Sequence, residues 1–320
     1  MLDVVALGEL LIDFATQSVD AAGYPTMAAN PGGAPANFLA ALAKFGAKTA
    51  LLGKVGADTF GKLLISTLEK AGIDPRGLVV TEDVFTTLAF VTFDESGERE
   101  FSFARKPGAD TCIAFEELDL SLIDEAKVFH FGTLSLTDEP ARSATCKAVA
   151  YAREKGKLIT YDPNLRLPLW KDAASAREQL LWGLRQADVV KISDNEVEFL
   201  FCLGPEAGAK HILQQFGVKL VFVTCGSEGC FFQNPLAGGF VPALQGLSVV
   251  DTTGAGDIFG GSALWKLLQL SKAPETLTEG ELRDVARFAT AAAGLSTTKF
   301  GGVSSVPEKA SVLERMLDKA

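Results

Sequence analysis

Short apolar runs alternate with amphipathic helical stretches along most of this chain. Such alternation predicts βαβ units, with a parallel sheet covered by helices. Strands are predicted at residues 4–7, 49–53, 128–131, 158–161, 189–192 and 220–224. Helices are predicted at residues 34–45, 60–71, 142–155, 173–186, 195–201, 208–216, 257–270 and 281–296. Because the sequence contains neither a repeat of 20–50 residues nor a Pro/Ser-rich linker, one continuous domain over residues 1–320 is expected.

Two segments interrupt this alternation. Residues 14–27 are rich in Ala, Thr and Gly and only weakly periodic. Residues 86–105 show a β-hairpin pattern, with a turn near residues 94–97 followed by Phe101 and Phe103 at period two. Extra strands inserted early in an α/β domain often cover the site, so a lid is predicted here. A plain edge hairpin is the alternative.

Composition excludes several classes of function. Hydrophobic residues make up 48% of the chain and charged residues 22%, as in ordinary globular proteins. A net charge of −10 argues against a nucleic-acid or anionic-membrane partner. No apolar run reaches the ~18 residues of a membrane span. Five cysteines without a C-x-x-C spacing fit reduced thiols and a cytoplasmic location. With only two histidines, His-based metal sites are poorly supported, and His130 is expected to be a core residue.

The sequence Asp251-Thr252-Thr253-Gly254-Ala255-Gly256-Asp257 predicts a glycine-rich turn that opens a helix. Unpaired N–H groups and the helix dipole make such a turn suitable for a phosphate. The carboxylate of Asp257 could take the proton of an attacking hydroxyl. The turn is not a Walker A loop, and Phe259 occupies the place of the third glycine of a dinucleotide-binding fingerprint. Taken alone, it could be a simple helix cap.

Two further elements could contact ligands. Gly32 and Gly33 precede an apolar helix that contains Asn37, whose amide can both donate to and accept from a sugar hydroxyl. Asp13, after the first strand, is an acceptor suited to a diol. Residues 224–229 follow a strongly apolar strand, where open parallel sheets bind ligands. A nucleotide loop and a hairpin turn are both compatible with this last segment.

In combination, Gly32-Gly33-Ala34-Pro35-Ala36-Asn37 and the 251–257 turn resemble the two signatures of the ribokinase/PfkB family of carbohydrate kinases, and within it the fructokinases. The resemblance extends from about residue 6 to residue 307. It implies an α/β fold, namely a ribokinase-like three-layer α/β/α sandwich with a small β-sheet lid. The lid would comprise residues 14–27 and 86–106, and it would also provide the contact of a homodimer.

The resemblance also implies roles for individual residues. Asp257 matches the general base, and the anion hole is matched by Gly254, Ala255 and Gly256. Sugar-binding positions are matched by Asp13, Gly32, Gly33 and Asn37. Nucleotide-binding positions are matched by Ser193, Thr224, Gly226, Gly229, Gly254, Gly256 and Thr290. Glu196 matches the residue linked to Mg²⁺ through water, and a monovalent-cation site for K⁺ is matched by Asp251, Thr253, Lys299, Gly301 and Ser305. ATP and Mg²⁺ are therefore expected.

Two arginine-containing segments bear on the identity of the sugar. Arg166 follows an Asp-Pro-Asn sequence that resembles a fructokinase segment, and Phe101, Phe103 and Arg105 resemble a sugar-contacting part of the fructokinase lid. The Phe-x-Phe-x-Arg segment and the Gly-Gly-Ala-Pro-Ala-Asn sequence favour phosphorylation of D-fructose to fructose 6-phosphate, whereas the Asp-Pro-Asn-x-Arg stretch also resembles kinases of 2-keto-3-deoxygluconate. Arginine also suits a carboxylate, so 2-keto-3-deoxygluconate or another sugar is the alternative substrate. A non-catalytic sugar-binding regulator on the same fold is the alternative from a different class.

Overall fold

The computed structural model describes residues 1–93 and 99–317, so the turn predicted at residues 94–97 lies outside the described residues. The strands are β1 (Leu2–Leu7), β2 (Leu11–Val19), β3 (Pro25–Gly32), β4 (Thr49–Gly56), β5 (Ile73–Asp74), β6 (Leu78–Thr81), β7 (Leu88–Phe93), β8 (Arg99–Ala104), β9 (Ala126–Gly132), β10 (Leu158–Asp162), β11 (Val189–Ser193), β12 (Leu220–Thr224), β13 (Gly229–Gln233) and β14 (Gly238–Pro242). The helices are α1 (Ala34–Lys44), α2 (Thr59–Ala71), α3 (Leu120–Glu125), α4 (Ala141–Glu154), α5 (Ala173–Gln186), α6 (Asp194–Phe201), α7 (Pro205–Phe216), α8 (Ala255–Leu270), α9 (Glu279–Ser296) and α10 (Lys309–Leu317). Among the described residues, no helix has both the length and the apolar character needed to cross a membrane.

The strands of the large sheet follow the order β14-β13-β12-β11-β10-β9-β1-β4-β5, with β6 beside β4. From β12 to β5 every neighbouring pair is parallel, whereas β13 and β14 are added antiparallel. The chain leaves β1 toward β4 and later returns to its other side at β9. Open α/β sheets bind ligands beyond the carboxyl ends of the strands at such a reversal. The fold therefore places a crevice beyond the ends of β1, β9 and β10.

Helices cover both faces of this sheet. Leu2, Val5 and Leu7 of β1 belong to a core shared with helices α3 to α7. Val4 and Ala6, which point to the opposite face, belong to a core shared with α1, α2, α8, α9 and α10. This arrangement confirms the predicted three-layer α/β/α sandwich.

A separate four-stranded sheet has the order β3-β2-β7-β8. Strands β2 and β7 are parallel, while β2 with β3 and β7 with β8 form antiparallel pairs. The two strands of the predicted hairpin, β7 and β8, are therefore present and paired. The first lid segment was predicted too short, because β2 and β3 pair from Leu11 to Gly32 and not only within residues 14–27. The alternation there is weak because the residues beyond Thr16 are exposed, so no single face is buried.

Helices α1 and α8 make the contact that organises the site. A Cβ atom on Gly261 of α8 would lie 2.2 Å from the carbonyl oxygen of Phe38 in α1, so glycine allows the two backbones to touch. The two helices consequently begin side by side. This brings together Asn37 and Asp257, which are 220 residues apart in the sequence.

Candidate active site

A cavity of about 410 Å³ lies between the carboxyl ends of the large sheet and the four-stranded sheet. Leu11, Val91 and Phe103 line it from the small sheet. Asp13 of β2 also belongs to that sheet, and the residues that line the cavity elsewhere are Glu9, Gly33, Ala34, Asn37, Leu134, Asn164, Arg166, Lys191, Thr252, Thr253, Gly254, Gly256 and Asp257. The small sheet thus forms one wall of the cavity, which is the position expected of a lid.

Asp257 lies in the first turn of α8 and is almost fully buried. Its Oδ2 accepts a hydrogen bond of 2.9 Å from Nδ2 of Asn37. Burial raises the pKa of Asp257, while the charge of Lys191, the Asn37 bond and the charge of Arg166 oppose that rise. A carboxylate with a raised pKa, facing a cavity, is a better proton acceptor than an ordinary one and is suited to general-base chemistry.

The helix start beside Asp257 can hold an anion. Gly254 caps α8 with a φ of 74°, in the left-handed region that favours glycine. The N–H groups of Ala255, Gly256 and Asp257 belong to the first turn, which lacks intrahelical acceptors. The N–H of Ala255 makes one long bond of 3.3 Å to the Thr252 carbonyl. The turn therefore presents donors and the positive end of a 16-residue helix.

Two carboxyl groups on the opposite side of the cavity are strongly perturbed. Burial raises the pKa of Asp13 to about 7, with the charge of Arg166 opposing the shift. Burial also raises the pKa of Glu9 to about 7, although its Oε1 accepts a 2.7 Å bond from the Ala34 N–H. Both groups can thus be protonated near neutral pH.

A pH dependence of stability follows from Asp13. Its pKa in the folded state exceeds the unfolded value of 3.8, so the folded protein binds more protons between about pH 4 and pH 7. This contribution to the free energy of unfolding is greatest at low pH, declines as the pH rises through that window, and levels off above about pH 7. We expect Asp13→Asn to make this decline shallower. The slope of the free energy of unfolding against pH, measured from urea-unfolding curves, should fall by the equivalent of up to about one bound proton. Equal slopes for both proteins would contradict the assignment.

Arg166 lines the cavity and its charge acts on both Asp13 and Asp257. Arg105, in contrast, does not reach the cavity. Its buried guanidinium pairs with Asp110 at 2.7 Å and also donates to the Thr137 hydroxyl and the Leu134 carbonyl. In this structure Arg105, for which direct sugar contact is expected from the sequence, ties the end of the lid to the segment after β9. The side chain of Phe101 lies outside the described part.

Lys191 is a site residue that the sequence reasoning missed. It lines the cavity, and its Nζ donates to Oδ2 of Asp162 at 3.0 Å. The available sign was a charged residue at the third position of the otherwise apolar strand β11. Glu9, Leu134 and Asn164 were also missed as lining residues. Each lies just beyond the carboxyl end of a strand, where only the topology shows that they meet.

A second cavity of about 380 Å³ adjoins the first. The predicted nucleotide residues Thr224, Gly226, Gly229, Gly256 and Thr290 all line it. The buried Oγ1 of Thr290 has no hydrogen-bond partner, which fits a donor or acceptor supplied by a ligand. The loop after β12 is at the same time a hairpin turn into β13, so both interpretations of residues 224–229 apply.

The two cavities meet at the helix start. Thr252 and Gly256 line both of them. A group passing from one cavity to the other would therefore cross the first turn of α8, beside Asp257. This is the arrangement that direct transfer of a phosphoryl group between two bound molecules requires.

Other predicted residues have mainly architectural contacts. Ser193 caps α6 rather than lining either cavity: its Oγ accepts from the Glu196 N–H and its own N–H donates to Glu196 Oε2. Glu196 Oε1 accepts a 2.7 Å bond from the Leu165 N–H. Gly32 pairs with Leu11 at the end of β3 and is not among the lining residues.

The residues of the expected monovalent-cation site are partly assembled. Asp251 Oδ1 accepts bonds from the N–H and hydroxyl of Thr253, and its Oδ2 accepts from the Gly301 N–H at 3.0 Å. The Ser305 hydroxyl donates to the Gly302 carbonyl, and Lys299 is exposed. Asp251 thus joins the catalytic turn to the loop after α9.

Comparison with known proteins agrees with this geometry. The model of the family described as "pfkB family carbohydrate kinase" matches residues 1–309 of this chain. The chain belongs to the pfkB family of carbohydrate kinases. It is therefore an ATP-dependent sugar phosphotransferase, and the family expected from the sequence signatures is confirmed.

Individual relatives of this pfkB kinase are fructokinases. It is 41% identical to probable fructokinase-3 of Arabidopsis thaliana over 320 residues, covering 99% of this chain and 92% of that protein. Fructokinase of Xylella fastidiosa with bound ATP superposes with a TM-score of 0.90 at 30% identity, covering 100% and 99% of the two chains. Fructokinase of Vibrio cholerae O395, bound to fructose, ADP and calcium ion, superposes with a TM-score of 0.86 at 30% identity, covering 98% and 99%.

Proposed function

We propose that this pfkB kinase transfers the γ-phosphoryl group of ATP to D-fructose and forms fructose 6-phosphate. One observation carries the proposal: Asp257 and the donors of the α8 helix start lie where the two cavities meet. The cavity under the lid would hold the sugar, and the cavity lined by Thr224 and Thr290 would hold the nucleotide. Relatives whose names specify fructokinase support the choice of sugar.

The chemistry follows from these positions. Asp257 accepts the proton of the sugar hydroxyl as that oxygen forms a bond to the γ-phosphorus, and the bond to the bridging oxygen of ADP breaks. The first-turn N–H groups stabilise the negative charge on the transferred phosphoryl group, a kind of interaction whose loss typically costs about 2.7–4 kcal/mol. The small sheet excludes water, so that transfer to the sugar is favoured over hydrolysis.

Mg²⁺ and K⁺ belong to the proposal as well. Each carboxylate oxygen of Glu196 accepts one backbone N–H and keeps a second lone pair. Through these lone pairs the group would accept hydrogen bonds from the water molecules of a hydrated Mg²⁺. When bound, the ion would neutralise charge on the ATP phosphates. Around Asp251, main-chain oxygens of the turn and of the 299–305 loop would hold K⁺. A cytoplasmic location and a homodimer through the lid complete the proposal.

The charges in the sugar cavity favour a neutral sugar over 2-keto-3-deoxygluconate. Three acids, Glu9, Asp13 and Asp257, and two cations, Arg166 and Lys191, line it, so the cavity holds no surplus of positive charge for a sugar carboxylate. The second arginine that could have paired with a carboxylate, Arg105, is instead bound to Asp110. Fructose requires only hydroxyl contacts, which Asp13 and Asn37 can supply.

A coupled ADP-release assay tests the substrate directly. Fructose, 2-keto-3-deoxygluconate, ribose and adenosine would be compared at equal concentration with saturating MgATP. We expect the largest kcat/KM for fructose. Turnover of the keto-acid without turnover of fructose would overturn the substrate, and sugar binding without any turnover would favour the regulator alternative.

Arg166→Ala tests the contribution of the cationic side chain in the sugar cavity. A hydrogen bond to a charged group contributes about 1.5–3 kcal/mol, so we expect KM for fructose to rise roughly 10- to 100-fold. KM for ATP should change far less, because Arg166 lines only the sugar cavity. Arg177→Ala, at an exposed position on α5, serves as the control. Equal increases in both KM values would place Arg166 in another role.

A further inference from the structure

A buried ion pair lies directly beneath the catalytic turn. Lys191 of β11 donates from Nζ to Oδ2 of Asp162 at 3.0 Å, and the two side chains are only 12% and 8% exposed. Burying two charges costs free energy that their mutual attraction often fails to recover. A lysine within an apolar strand therefore calls for a reason other than stability.

The position of Lys191 supplies such a reason. A Cβ atom built on Gly256 would lie 2.8 Å from Lys191 Nζ, so the ammonium group abuts the first turn of α8. Lys191 also lines the sugar cavity together with Asp257, and its charge opposes the rise in the pKa of that carboxyl. Its ammonium group is thus placed to act on the general base.

Charged and polar groups approach Asp257 from several elements. The cations are Lys191 of β11 and Arg166, which follows β10. The acids are Asp162 at the end of β10, Glu196 of α6 and Asp13 of β2. Asn37 of α1 donates its amide hydrogen bond. Lys191, Asn37 and Arg166 favour the ionised form of Asp257 against burial and the neighbouring acids, and Lys191 has the largest effect of the three.

A neutral histidine lies behind the pair. His130 stacks on Phe38 with ring centroids 3.7 Å apart, and its Nδ1 is 3.0 Å from the Thr160 hydroxyl. Burial, aided by the charge of Lys191, lowers the pKa of His130 to about 3. The positive charge of this cluster therefore resides on Lys191.

The second carboxylate oxygen of Asp162 differs from the one that accepts from Lys191. Oδ1 of Asp162 is buried without a hydrogen-bond partner. A cavity of about 20 Å³ lies beside Asp162, and His130, Thr160 and Lys191 line it together with mostly apolar residues. The hydrogen bond to Lys191 therefore engages only one of the two carboxylate oxygens, Oδ2.

We propose that Lys191 is a positioning residue that keeps Asp257 ionised and directed at the sugar hydroxyl, and that Asp162 moderates its charge. The proposal rests on the proposed phosphoryl transfer. It assigns opposite effects to the two partners. Removal of Lys191 leaves Arg166 as the cation that opposes these acids at Asp257, whereas neutralisation of Asp162 removes one of the acids and the charge that pairs with Lys191.

The test is the acid limb of kcat/KM for fructose against pH, which reports the base of the free enzyme. Loss of an adjacent opposite charge raises the pKa of a carboxyl by one unit or more. We therefore expect Lys191→Met to move the acid limb to higher pH by about one unit. Asp162→Asn should move it downward by about half a unit or more. Lys191→Arg keeps the charge and should leave the limb within about 0.3 units of the native protein.

Several outcomes would overturn the proposal. An unmoved acid limb in Lys191→Met, with kcat reduced, would mean that Lys191 acts on the phosphoryl group and not on Asp257. Shifts of the same sign in Lys191→Met and Asp162→Asn would indicate a general disturbance of the fold. Thermal melting of each variant provides the check on folding.

A second readout separates this inference from the proposed function. The Asp257 carboxyl carbon can be titrated by ¹³C NMR in the unliganded native, Lys191→Met and Asp162→Asn proteins. The same opposed shifts are expected without any turnover. If the native protein phosphorylates none of the sugars, the proposed function fails, yet this titration still decides whether Lys191 sets the ionisation of Asp257.

Discussion

Asp257→Asn is expected to reduce kcat for fructose by about 10³-fold while leaving the binding of sugar and ADP largely intact. The asparagine can still accept the hydrogen bond from Asn37, so the geometry of the α1–α8 contact is retained. It cannot accept the proton of the sugar hydroxyl. Steady-state kinetics together with calorimetric titration of fructose and ADP would separate turnover from binding.

Stability provides the control for this variant. Because burial raises the pKa of Asp257, its carboxylate is less favourable in the folded protein than in the unfolded chain above that pKa. Neutral Asn should therefore melt at a temperature no lower than the native protein at pH 8. Near-native turnover in a well-folded variant would remove Asp257 from the role of base.

Gly254→Ala should reduce turnover by about 10²–10³-fold, as loss of an oxyanion donor does. The residue has a φ of 74°, and an alanine Cβ would lie 3.0 Å from both Asn37 Nδ2 and the Gly302 Cα. The substitution would displace the first-turn donors and the amide that orients Asp257. A non-glycine residue in this backbone region also costs about 1–2 kcal/mol of stability.

Gly217→Ala separates these two effects. Gly217 ends α7 with a φ of 71°, and a Cβ there would meet nothing within 4 Å. We expect the same loss in the free energy of unfolding, measured by urea titration, with kcat/KM unchanged. If both variants lost turnover equally, the effect at Gly254 would be one of stability and not of the anion site.

Much of this fold could be predicted because the sequence pattern is local. The helix at residues 173–186 and the strand at 220–224 were predicted with the bounds that the structure has. Helix α8 begins two residues earlier than predicted, at Ala255, because the left-handed Gly254 and not the first apolar residue starts it. Strands β13 and β14 were missed because they begin with glycine and lack a regular period-two alternation, and the helix α3 was missed because it is only six residues long.

The site was harder to predict because its contacts are not local. The sequence identified Asp257 and Asn37 separately, but only the packing of α1 on α8 shows that they share a hydrogen bond. The ion pair of Arg105 could not be predicted because its partner, Asp110, follows a turn whose path the hydrophobic pattern does not define. Lys191 was missed because a single lysine in a strand has no distinctive spacing.

The wall formed by Leu11, Val91 and Phe103 comes from three strands of the small sheet, all of them before residue 105. The turn that carries the chemistry begins at residue 251, in a separate layer of the molecule. One wall of the sugar cavity and the 251–257 turn are thus encoded in distant stretches of the gene. Substitutions at Leu11, Val91 or Phe103 would therefore change the shape of the cavity without altering the sequence of the turn.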